Sequence, residues 1–145
     1  MSLFSTLDVS ASGMAAQRAR AELLVENLAN ADTTRTPEGG PYRRKDVVFS
    51  SDPSVGSFSA EFSSAMGSGV SGVSVSDTII DDRDPERRYL PGHPDADKDG
   101  YVAFPRINPA EDMVDLLGAS RSYEANVAAM SAVKDMIQKS LDLFR

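Results

Sequence analysis

Apolar positions recur every seven residues at both ends of the chain. Near the start, Leu7, Met14, Ala21 and Leu28 form one row. Leu3, Leu24 and Ala31 lie in a second row that Ser10 and Gln17 interrupt. Ala11, Ala15, Ala16, Ala19 and Ala29 widen the stripe and favour helix. The spacing predicts a helix from Leu3 to Ala29, roughly 40 Å long at 1.5 Å per residue. Asn30 reads as its stop, because Asn tolerates the left-handed conformation that ends helices.

The other end is patterned more strongly. Leu116, Tyr123, Met130, Ile137 and Phe144 repeat every seven residues. Met113, Val127 and Leu141 stand at the alternate positions, with Ser120 and Lys134 as exceptions. A heptad kept this long reads as coiled-coil packing. Asn108 is the expected N-cap, with Pro109 at the first helical position and Glu111 three residues after the cap. Acidic Asp112 and Asp115 suit the positive end of the helix dipole, and Lys134, Lys139 and Arg145 the negative end. The predicted helix runs from Pro109 to about Phe144.

Between the helices lies a different composition. Residues 32–108 hold seven of the eight prolines, and residues 50–76 hold eleven serines and four glycines. Tyr42 to Phe49, Val70-Val73-Val75 leading into Thr78-Ile79-Ile80, and Tyr101 to Phe104 read as short strands between turns. The expected fold is mainly α with a small β part. Residues 1–31 and 109–145 form a core of two long terminal helices paired as a coiled coil. Residues 32–108 form an irregular β-rich region, in which 50–76 is a mobile serine-rich segment or a plain spacer.

Pairing buries one stripe per helix and leaves a second apolar face wet. Val114, Leu117, Ala125, Ala128, Ala129, Val133 and Met136 lie off the C-terminal seam, and Phe4, Val9, Leu23 and Val25 off the N-terminal one. A buried large apolar side chain contributes roughly 1.5–3 kcal/mol, so several left exposed forfeit several kcal/mol. Other protein chains are the expected cover. A helical hairpin closed on its own β element is the competing reading.

Composition narrows the chemistry. The chain has 145 residues and a formal charge of −7, which argues against a nucleic-acid partner. It has no cysteine and one histidine, His93, which removes thiolate and most histidine-based sites. No run of about 18 apolar residues is present for a membrane-spanning helix. Nor is there a Sec-type leader, so export would use another signal. Asp95-Ala96-Asp97-Lys98-Asp99-Gly100 matches the first six positions of a calcium loop, but position twelve is Arg106 where a bidentate Glu is required. It reads better as a turn between two strands. Arg43, Arg44 and Lys45 read as a solvated basic cluster, and Arg121 with Glu124 as a helix-surface ion pair. No catalytic residue, cofactor or metal site is expected.

Ser2-Leu3-Phe4 through Ser12-Gly13-Met14, then Arg20 and Glu26-Asn27-Leu28-Ala29-Asn30-Ala31-Asp32-Thr33, resembles the N-terminal signature of bacterial flagellar axial proteins. Ala119-Ser120-Arg121-Ser122-Tyr123-Glu124-Ala125-Asn126-Val127 resembles their C-terminal segment. Pro91-Gly92-His93-Pro94-Asp95-Ala96-Asp97 with Gly100-Tyr101-Val102 is similar to the proximal-rod branch. The turn Pro37-Glu38-Gly39-Gly40-Pro41-Tyr42 is slightly longer than that family's usual form.

The resemblance implies a structural subunit of the rod, a drive shaft crossing the periplasm around an export channel. It implies export by the flagellar type III system without a cleaved signal. Implied partners are other proximal and distal rod subunits, the adaptor joining the rod to the export gate and MS ring, and copies of itself. Nucleic acid and direct membrane insertion are not implied. Leu3, Leu7, Met14, Ala21, Leu28, Leu116, Tyr123, Val127, Met130, Ile137, Leu141 and Phe144 would pack subunits together. Asn27, Asn30, Arg121 and Asn126 would make the polar contacts that set helix ends and register. A small soluble helical adaptor or export chaperone is the alternative.

Overall fold

The computed structural model describes residues 3–52 and 71–143. Helix α1 spans Leu3–Ala29, and α2 spans Pro109–Asp142. Between them lie four strands: β1 (Lys45–Asp52), β2 (Gly72–Ile80), β3 (Glu86–Tyr89) and β4 (Tyr101–Phe104). They form two separate antiparallel pairs, β1 with β2 and β3 with β4. The chain is thus mainly helical with a small β part. Phe144 and Val70 lie outside the described residues, as do the side chains of Leu3 and Phe4.

The start of α2 and the stop of α1 follow local chemistry. At α2, Asn108 has extended backbone and its Oδ1 accepts from Ala110 N at 3.2 Å, with Pro109 next. The stop of α1 differs from expectation. Among the described residues no non-glycine has positive φ, so Asn30 is not left-handed. Instead its Nδ2 donates to the Glu26 carbonyl at 2.9 Å, and its Oδ1 accepts from Thr33 Oγ1. The side chain adds a second donor to a carbonyl that the Asn30 backbone N–H already reaches at 3.1 Å.

The two helices pack against each other in antiparallel fashion. Gly13 of α1 meets Asn126 of α2, while Arg20, further along α1, reaches Asp115, earlier in α2. The contacting face of α2 differs from the expected one. Leu116, Met130 and Ile137 are half-buried as expected, but the second row is Asp112, Ala119, Asn126 and Val133. Val133, assigned above to the outer face, is 5% exposed. Met113, Val127 and Leu141 point away from α1 and are 52%, 45% and 65% exposed. A heptad row has a neighbour three or four residues away on either side. The sequence offered larger apolar residues on the wrong side, and a small or polar row won because it lets the backbones approach. On α1, Ser10 and Gln17 do not break the packing. Ser10 is buried and Gln17 is half-buried.

The β1–β2 pair lies along α1 and is fastened to it near both ends. Asn27 holds Lys45 at the start of β1, and Ser12 holds Val73 near the start of β2. Lys45 pairs with Ile80, and Ser51 with Val73. From Ser12 to Asn27 the helix rises about 22 Å. From Lys45 to Ser51 the strand extends about 20 Å, so the two fastenings are commensurate. A bulge at Val48/Phe49 adjusts the register. The serine-rich zone contributes strand at both its ends: Gly72–Ser76 carries the expected Val73–Val75 alternation, and Ser50–Asp52 extends β1 beyond the expected end at Phe49. Strand β3, Glu86–Tyr89, was missed, because its Glu-Arg-Arg-Tyr sequence has no apolar alternation. All four of its residues are exposed.

Candidate functional site

The densest cluster of buried polar groups sits where the end of α1, the segment entering β1 and the start of α2 converge. Asn27 is fully buried. Its Nδ2 donates to the Lys45 carbonyl at 2.8 Å, and its Oδ1 accepts from Lys45 N–H and from Tyr42 Oη, both at 3.0 Å. The amide thus acts as one more strand residue, offering donor and acceptor to the first residue of β1. Only Asn or Gln has this pair of functions. Tyr42 is 8% exposed. Burial first, then Glu26, pushes its hydroxyl pKa up to about 12.

The basic cluster stays solvated at Arg43 but not at Arg44, which is largely buried. Arg43 pairs with Asp82 at 2.8 Å, Lys45 with Glu26 at 2.6 Å, and Arg44 with Asp112 at 2.9 Å. Alternate residues diverge because the chain is becoming a strand. The Arg44 side chain is 15% exposed and that of Asp112 is 0%. The Arg44–Asp112 contact is close but not aligned as a hydrogen bond, and both Asp112 oxygens are buried without an aligned donor. Burial pushes the Asp112 carboxyl pKa up, against the pull of Arg44. Asp46, Asp115 and Glu111 add to the rise. Sequence reasoning placed Asp112 at the helix dipole and missed its burial. The available signal was its place in the row 112, 119, 126, 133.

A second junction joins the terminal motifs. Ser12 Oγ donates to the Val9 carbonyl at 2.8 Å and accepts from Val73 N–H at 3.0 Å. Its neighbour Gly13 lies against the Asn126 side chain, whose Nδ2 donates to the Ser122 carbonyl. Arg121, Ser122, Tyr123 and Glu124 face outward, and Tyr123 is 41% exposed. The expected Arg121–Glu124 ion pair is not formed among the described residues. Leu7, Met14, Ala21 and Leu28 are half-buried along α1.

The central motif forms a turn. Asp97 Oδ1 accepts from the N–H groups of Asp99 and Tyr101, each at 2.9 Å. Asp95 accepts from Thr34 Oγ1 at 2.8 Å, tying the β3–β4 turn to the segment after α1. Gly100 has φ +81, and a Cβ there would lie 2.9 Å from the Tyr89 ring. His93 Nδ1 accepts from Asp95 N–H, and its ring lies 6.3 Å from that of Phe104. The Asp95 and Asp97 carboxylates are thus committed to hydroxyl and backbone donors. Among the described residues no group of three or more metal-ligating side chains converges. A cavity of about 120 Å³ is lined by Arg43, Arg44, Asp81, Arg83 and Arg106. Arg83 is matched by Asp81, whose pKa it holds down at about 2, mainly through side-chain hydrogen bonds. The Asp81–Arg83 pair is local to its own segment, and Arg43–Asp82 joins that segment to the one before β1. No described helix is long and apolar enough to cross a membrane.

Residues 7–35 match the family described as Flagella basal body rod protein. Residues 98–143 match the family described as Flagellar basal body rod FlgEFG protein C-terminal. The chain is 45% identical to the flagellar basal-body rod protein FlgC of Bacillus subtilis, over 99% of each chain. It is 40% identical to FlgC of Salmonella typhimurium, over 99% of this chain and 98% of the other. It is 38% identical to FlgC of Borreliella burgdorferi, over 100% and 99%. Similarity at this level over the whole length, with junctions built from the terminal motifs, means that the chain belongs to the flagellar basal-body rod protein FlgC family, whose members are structural proteins and not enzymes.

Proposed function

We propose that the chain builds the rod by packing the outward face of α2 against neighbouring subunits, with α1 and α2 paired as a coiled coil behind it. The observation that carries this reading is how little of α2 is covered. Of 34 residues, only Asp112, Ala119 and Val133 are buried. Val114, Leu117 and Met136 are 67%, 60% and 49% exposed. A solitary helix of this kind forfeits several kcal/mol of apolar burial, at roughly 25 cal/mol per Å². Neighbouring chains supply the missing contacts.

Met113, Tyr123, Val127 and Leu141 join that outer face, since they do not pack on α1. Leu7, Met14, Ala21, Leu28, Leu116, Met130 and Ile137 hold the helix pair together within the subunit. Partners on this reading are copies of the chain, other proximal and distal rod subunits and the adaptor at the rod base. The subunits surround an export channel and carry torque, because interdigitated side chains resist deformation. Export through the flagellar type III system without cleavage completes the picture. Full-length similarity to rod proteins disfavours a soluble adaptor or chaperone.

Leu117→Asp tests the reading. The residue is exposed, so the purified variant should melt within about 0.5 kcal/mol of the parent. Cells carrying it should fail to swim, and detergent-extracted basal bodies should lack the protein. Normal motility would overturn the outer-face assignment.

A further inference from the structure

We propose that the buried Arg44–Asp112 pair is a register key, fixing where α2 sits along α1 rather than holding the two helices together.

The apolar row of α2 cannot set the register. Leu116, Met130 and Ile137 are all large, and a slip of one heptad replaces Leu116 by the equally large Tyr123 and Met130 by Ile137. The second row carries a different residue at every step: Asp112, Ala119, Asn126 and Val133. Each meets a distinct surrounding. Asp112 meets Arg44 at 2.9 Å, and Asn126 meets Gly13. A slip of seven residues along α2 would set Ala119 beside Arg44, leaving a guanidinium that is 15% exposed without Asp112 and with the largely solvated Asp46, 3.5 Å from Nε, as its remaining carboxylate. That state is disfavoured even when every apolar contact is regained.

The pair is poorly built for stability. Its two carboxylate oxygens and Arg44 Nε are buried without aligned partners. Acidic groups surround it: Asp46 on β1, and Glu111 and Asp115 on α2. Burying two charges costs more than their attraction returns unless the geometry is very good. A pair that is weak for stability yet largely buried acts by excluding alternatives, as a single polar residue does in a coiled-coil seam. This inference concerns the isolated fold and stands independently of the rod interface proposed above.

The chain has no cysteine, so an introduced pair reports cleanly. Gly13→Cys with Asn126→Cys marks the observed register, because a Cβ on Gly13 would lie 3.4 Å from Asn126 Cγ. Gly13→Cys with Val133→Cys marks a one-heptad slip. In the observed register Val133 lies about 10 Å further along the helix, beyond the ~7 Å Cα separation that a disulfide spans. Both pairs are placed in the parent and in the double variant Arg44→Met/Asp112→Leu, and oxidised as the purified full chain. The parent should form only the first bond. The apolar variant should melt at or above the parent and form both. The charge-swapped variant Arg44→Asp/Asp112→Arg should recover the single bond. An apolar variant that forms only the first bond would overturn the assignment. One that melts well below the parent would show a stabilising pair instead, and would overturn it too.

Discussion

Gly13 and Asn126 face each other across the two helices, and a Cβ on Gly13 would lie 3.2 Å from Asn126 Nδ2. Two motifs more than a hundred residues apart in sequence are thus halves of one contact. Glycine inside a helix is disfavoured by about 1 kcal/mol relative to alanine. Here the missing methyl makes room for the amide.

Gly13→Ala should therefore give less than its helix-propensity gain. In the parent, urea unfolding should show little change or a loss. In an Asn126→Ala background the same substitution should stabilise by about 1 kcal/mol. An equal gain in both backgrounds would mean that the contact does not constrain Gly13.

Asn27 should be among the most sensitive positions. Asn27→Ala removes three hydrogen bonds and leaves the half-buried Lys45 backbone groups without these partners, at a cost of about 3 kcal/mol. Tyr42→Phe removes only one of them and should cost about 1 kcal/mol. Denaturant midpoints rank the two, and a reversed order would show that Tyr42, not Asn27, organises the junction.

Acid should expose the Asp81–Arg83 pair. The folded-state pKa of Asp81, about 2, lies below its ordinary 3.8. Its contribution to stability is therefore present above about pH 4 and lost as the pH falls towards 2. The raised pKa of Asp112 runs the other way, favouring the folded state in acid and losing that contribution as the pH rises. Thermal melts of Asp81→Asn should lack part of the parent's decline between about pH 4 and pH 2. Identical acid limbs would leave the pair without weight in folding.

The sequence by itself determined the two helices, their ends to within a few residues, and the strand at Tyr101–Phe104. These are local matters of period, capping and turn chemistry, readable from neighbours in the chain. It also marked Asn27 and Asn126 through their motifs, without saying what they touch. Only the tertiary structure decided which row of α2 faces α1. The heptad permits a row on either side of Leu116, Met130 and Ile137, and close backbone approach at Gly13 selected the row with Ala119 and Asn126 over the one with Met113 and Val127. The burial of Asp112 follows from that choice. Its partner Arg44 lies 68 residues earlier, in a segment whose charges look solvated until the strand and both helices close around them.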